Sequence, residues 1–216
     1  MLRGVLLLVS MMVFAVFTLS AQAASPRIIL VFGDSLSAGY GLPQDKAWVS
    51  LLSARLKQQR IDYTVANASI SGETTLGGLK RINAALTQHK PAIVVLALGA
   101  NDGLRGQSTE TMRSNLHAMI QACRKANTQV LLVGMRIPPN YGTAYTSKFH
   151  AVFLELAQRD KLPLVPFLLD GFADQPAWFQ ADGIHPESRA QPVMLDTVWK
   201  ALGPLVASDK KVDKNK

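Results

Sequence analysis

Ser35, Asp182 and His185 are the residues of this chain whose types and settings suggest chemistry. Ser35 lies in Gly33-Asp34-Ser35-Leu36-Ser37, and His185 closes Asp182-Gly183-Ile184-His185-Pro186. A serine hydroxyl is a weak nucleophile until a base removes its proton, and an imidazole is suited to that task. Gly183 allows a tight turn that returns the Asp182 carboxylate to one ring nitrogen, which would fix the tautomer and stabilise the imidazolium. Acyl transfer also needs donors aimed at an oxyanion. Gly72, in Asn67-Ala68-Ser69-Ile70-Ser71-Gly72, offers a bare backbone N–H, and Asn101, in Gly99-Ala100-Asn101-Asp102-Gly103, offers a side-chain amide. The Ser35 N–H would be the third. Each residue also has a plain structural reading: Ser35 as a helix N-cap, Asp182 and His185 as an ordinary turn pair, Gly72 as a turn glycine, Asn101 as a cap.

What separates the two readings is whether the fold gathers these loops. Five apolar runs, at 27–32, 61–66, 92–98, 129–135 and 162–167, lack alternation, as strands buried on both faces do. Between them lie stripes with helical spacing: Trp48, Leu51, Leu52, Leu56; then Leu79, Ile82, Leu86; then Met112, Leu116, Met119, Ile120, Cys123; then Phe149, Val152, Phe153, Leu156; and last Met194, Leu195, Val198, Leu202. This (βα)₅ pattern predicts an α/β fold, an open parallel sheet with helices on both faces. With strand order 2-1-3-4-5, the loops carrying Ser35, Gly72, Asn101 and the Asp182–His185 turn share the carboxyl edge of the sheet, beside its switch point. Pro186 is expected to open the final helix.

Composition narrows the class. Of 216 residues, 48% are apolar and 18% charged, which excludes a disordered or fibrous chain, and one cysteine excludes a disulfide framework. Residues 1–23 carry Arg3, an apolar run and Ser20-Ala21-Gln22-Ala23, the marks of a secretory signal cleaved after Ala23 rather than of a spanning helix. The expected organisation is a signal peptide at 1–23, one domain at 24–207 and a flexible basic tail at 208–216. The destination is the periplasm, or secretion, with no stable membrane insertion after cleavage. Lys+Arg outnumber Asp+Glu by 23 to 15, yet no basic run is interleaved with aromatics, so no nucleic-acid footprint is visible. The excess favours only weak attraction to anionic membrane surfaces.

The four blocks together resemble, in order, those of the SGNH or GDSL hydrolases. The similarity extends over nearly the whole of 24–216, and within the family it is to the bacterial periplasmic thioesterases, lysophospholipases and arylesterases. The resemblance implies a three-layer flavodoxin-like fold with a five-stranded parallel sheet. It also implies Ser35 as nucleophile, His185 as base, Asp182 as its orienter, and Gly72 with Asn101 in the oxyanion hole. Implied too are substrates among acyl-CoA thioesters, aryl esters, lysophospholipids and some amino-acid esters. The chemistry expected of these residues needs no metal or organic cofactor, and the expected state is a monomer.

Rival readings have less support. No G-x-S-x-G occurs, which removes an α/β-hydrolase. A nucleotide- or flavin-binding module lacks G-x-x-x-x-G-K-[ST] and G-x-G-x-x-G, and Glu73 stands where phosphate would sit. A carbohydrate O-deacetylase on the same scaffold remains the nearest rival. His89, His117, His150 and His185 show no paired metal-ligand spacing, and Cys123 reads as core. An apolar acyl pocket is expected from Ile70, Leu76, Leu104, Ile137, Pro138, Pro139, Tyr141 and Phe172, with 139–147 as a mobile rim.

Overall fold

The computed structural model describes residues 27–213; the expected signal peptide lies outside them, as does the end of the expected tail. The strands are β1 (Arg27–Gly33), β2 (Tyr63–Asn67), β3 (Ile93–Ala97), β4 (Gln129–Val133) and β5 (Leu164–Val165). The helices are α1 (Ser35–Ala38), α2 (Trp48–Gln58), α3 (Thr75–His89), α4 (Ala100–Leu104), α5 (Thr109–Lys125), α6 (Thr143–Asp160) and α7 (Gln191–Asp213). All strands are parallel, in the order β2-β1-β3-β4-β5.

The apolar runs lack alternation because each central strand feeds two cores. Ile29, Val31, Ile93 and Val95 join α2 and α7 on one face, whereas Leu30, Phe32, Val94 and Leu96 join α3, α5 and α6 on the other. All eight are fully buried, so each strand residue is removed from water whichever way it points. The stripes read from the sequence supply the helical sides, with Trp48, Leu52 and Leu56 against Val198 and Leu202, and Leu116, Met119 and Cys123 against Phe149, Phe153 and Leu156. Burial pushes the Cys123 thiol up to about 12, in keeping with an inert core residue.

Strands β2 to β4 shift by one or two residues from the sequence reading, and three differences are larger. β5 is two residues long rather than six because Pro163 and Pro166 bracket it, each lacking an N–H for a ladder. Pro186 does not open the last helix; it forms an isolated antiparallel bridge with Phe179, and α7 begins at Gln191 after a short 3₁₀ turn. α7 itself continues to Asp213, into the stretch expected as a flexible tail, since backbone hydrogen bonds carry a helix past the end of its apolar stripe.

The short β4–β5 pairing continues through Gly134, whose N–H donates to the Val165 carbonyl at 2.7 Å and whose carbonyl accepts from Leu168 N–H at 3.1 Å. A Cβ on Gly134 would lie 2.5 Å from the Pro166 carbonyl oxygen, and backbone cannot move aside as a side-chain tip can. Gly134→Ala is therefore expected to destabilise the fold by about 1–3 kcal/mol. The check is the urea midpoint at unchanged m value, and an unaltered midpoint would mean that β5 yields freely.

Candidate active site

The chain leaves β1 at Gly33, where a Cβ would meet the Ala97 carbonyl oxygen of β3 at 3.0 Å. Asp34 then caps α1: its Oδ1 accepts the Leu36 N–H at 3.0 Å. Asp34, not Ser35, is the N-cap, so the serine is the first helical residue and its hydroxyl has no capping duty. Asp34 is 2% exposed, and loss of water pushes its carboxyl up to about 7, against the lowering effect of the Leu36 N–H.

Ser35 Oγ lies 2.9 Å from His185 Nε2, and His185 Nδ1 lies 2.7 Å from Asp182 Oδ2. With Nδ1–H donating to the carboxylate, Nε2 is left as the acceptor for the serine hydroxyl. The other Asp182 oxygen accepts the backbone N–H groups of Ile184 at 2.9 Å and His185 at 3.0 Å. Led by the His185 N–H, then its ring and the Ile184 N–H, these bonds hold the Asp182 carboxyl down to about 2. Gly183 makes the turn at φ +67°, in the left-handed region that glycine occupies without strain. Tyr40 packs its ring 4.4 Å from that of His185, centroid to centroid.

Gly72 and Asn101 line the same cavity of about 200 Å³ as Ser35 and His185. Asn101 Nδ2 donates to the Glu73 carbonyl at 3.1 Å, which orients the amide, and Arg105 donates to the Gly72 carbonyl at 3.0 Å. Beneath them, buried Asp102 accepts from the Thr75 N–H at 2.9 Å and its hydroxyl at 2.5 Å, and Asn115 donates to the same hydroxyl at 3.1 Å. This network ties the start of α3 to α4, and so the Gly72 loop to Asn101. All five residues singled out from the sequence are thus brought to one edge.

A second cavity of about 420 Å³ shares Ala100, Leu104, Met135 and Ile184 with the first and runs on between Ile137, Pro138, Pro139, Phe167 and Phe179. Of the side chains expected in an acyl pocket, Leu104, Ile137, Pro138 and Pro139 line it. Phe172 does not: it is fully buried beside Trp178 and Phe179, where an aromatic ring gains most from burial. Ile70 and Leu76 line neither cavity and stay half exposed. Leu76 is held outward because Thr75, Gly78 and Ile82 occupy the inner face of α3. Tyr141 stands at the rim, its hydroxyl donating to the Leu104 carbonyl at 2.9 Å, and Tyr145 likewise reaches Gln107 at 2.7 Å. The segment expected as a mobile rim is therefore a 3₁₀ turn and the start of α6, pinned by two hydroxyls. Met135, Phe167 and Phe179 carried no signal beyond an apolar run or an aromatic dipeptide.

A protein-family model described as a GDSL-like lipase/acylhydrolase family matches residues 31–191. The chain is 47% identical over 188 residues to esterase TesA of Pseudomonas aeruginosa, covering 87% of this chain and 94% of the relative. It is 41% identical over 191 residues to thioesterase 1/protease 1/lysophospholipase L1 of Escherichia coli, covering 88% and 90%. Among solved structures it is similar to the psychrotrophic esterase EstA of Pseudoalteromonas sp., in a structure inhibited by monoethylphosphonate. There the TM-score is 0.80 and the identity 38%, over 84% of this chain and 99% of that one.

Two expectations test the supports of this site. An unfolded aspartate ionises near 4, whereas folded Asp34 keeps its proton to about 7. The folded state binds the additional proton between those values, so stability falls as pH rises through that window and levels off above it. Asp34→Asn keeps an acceptor for Leu36 and removes the titration, so wild-type melting temperature should drop relative to this variant from pH about 4 to about 7. Parallel curves would show that Asp34 is ionised throughout. Thr75→Val breaks the buried network at its centre and is expected to cost about 1–3 kcal/mol. It should also lower kcat more than it raises KM, with Thr75→Ser restoring both; an unchanged kcat would separate the network from the site.

Proposed function

The chain belongs to the GDSL-like lipase/acylhydrolase family, and from that premise we propose that it is a serine esterase cleaving acyl esters and thioesters through an acyl-enzyme. The observation that carries the proposal is the unbroken chain of hydrogen bonds from Ser35 through His185 to Asp182, set at the mouth of an apolar groove.

In the proposed cycle His185 Nε2 takes the Ser35 proton as Oγ attacks the acyl carbonyl carbon. The oxyanion accepts from the N–H groups of Ser35 and Gly72 and from the Asn101 amide N–H not used by Glu73. Asp182 stabilises the imidazolium without taking its proton, helped by two backbone donors that keep it anionic. The tetrahedral species collapses as His185 protonates the leaving alcohol or thiol. Water, deprotonated by His185 in its turn, then attacks the acyl-serine, and the second tetrahedral species breaks its bond to Oγ as His185 returns the proton to Ser35 and the carboxylic acid leaves.

The apolar groove favours acyl chains longer than acetyl, and this argues for esterase, thioesterase or lysophospholipase activity over the carbohydrate O-deacetylase reading. The relatives named above are an esterase and a thioesterase 1/protease 1/lysophospholipase L1. The leader and cleavage motif support export to the periplasm, with 24–207 as the working domain.

The test is hydrolysis of p-nitrophenyl esters from acetyl to palmitoyl by residues 24–216, which contain every element of the fold. Medium or long chains should be cleaved, and Ser35→Ala should lower kcat by roughly 10⁴–10⁶ with an intact fold. A loss under tenfold in the folded variant would remove Ser35 from the mechanism. Cleavage of acetyl alone would hand the site to the deacetylase reading.

A further inference from the structure

Among the described residues six large apolar side chains stay exposed: Tyr40, Ile70, Leu76, Tyr141, Leu154 and Ile184. Single exposed apolar residues are ordinary, whereas a group on one edge is not. Five of the six, all but Leu154 on α6, belong to the edge that carries the catalytic cavity. Tyr40 and Ile184 line that cavity. Tyr141 is bonded to Leu104, which lines it too. The Ile70 N–H donates to the carbonyl of Gly33, two residues before Ser35. Leu76 follows Thr75, which is anchored to Asp102 beside Asn101. Ile70 and Leu76 flank the Gly72 turn from outside, at 50% and 49% exposure, and serve neither cavity.

The charges interspersed with this apolar rim are mainly positive. Lys80 is exposed one helical turn beyond Leu76 on the same face of α3. Arg105 is exposed with its guanidinium on the Gly72 carbonyl, in the turn that follows Ile70. Arg136 is exposed in the groove wall over the Phe167 ring. Of the acids nearby, Glu73 is paired with Arg81, Asp45 with Lys46 and Asp182 with His185, while Asp170 shares a cavity wall with Arg136 and Asp174 lies in the groove wall.

We infer that this rim is a docking surface for an anionic phospholipid bilayer. Ile70, Leu76, Tyr40, Ile184 and Tyr141 would enter the zone between headgroups and acyl chains while Lys80, Arg105 and Arg136 meet lipid phosphates. Charge favours this occupant over a second copy of the chain, because a two-fold contact would press the positive rim against itself. Docking in this orientation opens the groove towards the lipid. The inference rests on the rim alone and does not require Ser35 to be the nucleophile.

Flotation of residues 24–216 with vesicles tests it, in the Ser35→Ala background so that no lipid is consumed. The vesicles are phosphatidylglycerol mixed equally with phosphatidylcholine, with phosphatidylcholine alone as the comparison. Binding is expected to the anionic vesicles, weakened severalfold by high salt or Lys80→Glu and about tenfold or more by Ile70→Ser with Leu76→Ser. The same substitutions with Ser35 restored should leave melting temperature and hydrolysis of soluble p-nitrophenyl butyrate unchanged. Absence of binding, or binding that ignores the double variant, overturns the inference. So does sedimentation showing a dimer that the double variant dissociates, since the rim would then be a contact between copies. Hydrolysis of soluble ester without vesicle binding sinks the docking surface alone; vesicle binding without hydrolysis sinks the catalytic reading alone.

Discussion

The 2.9 Å contact between Ser35 and His185 joins residues 150 positions apart, and much of the fold can be understood as what makes that contact permanent. Ser35 is held by the central strand: β1 pairs with β2 and β3, and Gly33 lets β1 approach β3 closely just before the serine. His185 has no such strand beneath it. Its turn is held by the Phe179–Pro186 bridge, by Gln180 N–H on the His185 carbonyl at 2.8 Å and by Glu187 N–H on Trp178 at 2.7 Å. A two-strand scrap of this kind is marginal by itself. It is tied back to the serine side by Gln180, whose amide donates to the Tyr40 carbonyl at 2.9 Å. Buried Gln191 adds a second tie, accepting the Trp48 N–H at 3.1 Å and donating to the Pro186 carbonyl at 3.4 Å.

These two glutamines show where sequence reasoning stops. Strand order, helix stripes and the gathering of Ser35, Gly72, Asn101, Asp182 and His185 on one edge were legible because hydrophobic periodicity and the crossover rule constrain them. Nothing about Gln180 or Gln191 marks either as a cross-link, since the partner of a side-chain amide is set by distant backbone. Pro186 misled for a related reason: proline before a helical stripe reads as an N1 residue, but here its carbonyl was needed by Gln180 and Gln191. In the sequence Ser35 reads equally as cap or nucleophile; the capping bond belongs to Asp34, which removes the first reading. The apolar pocket was half legible, because a loop's apolar residues can turn to a groove, to the core as Phe172 does, or to solvent as Ile70 and Leu76 do.

The two carboxyls closest to the serine have opposite environments. Asp182 is within reach of two backbone donors and an imidazole, so it stays anionic far below neutrality. Asp34 is buried, and that desolvation outweighs the backbone N–H groups of Leu36 and of Asp34 itself, so its neutral form is favoured. The difference is useful to the chemistry proposed. A second full negative charge next to Ser35 would oppose the oxyanion proposed to form there, and burial of Asp34 lessens that charge.

The proposed acyl groove and the Ser35 cavity share parts of the protein. Ala100, Leu104, Met135 and Ile184 line both the Ser35 cavity and the longer groove. Ala100 immediately precedes Asn101, and Ile184 immediately precedes His185. An acyl chain filling the groove, as proposed, would press on residues one peptide away from the proposed oxyanion donor and the proposed base. Binding energy gained far from the reacting carbonyl can in this way hold the donor and the imidazole in place as the transition state forms, which raises kcat as well as affinity. Short acyl chains that leave the groove empty forgo that restraint, so chain length should register in turnover and not in KM alone.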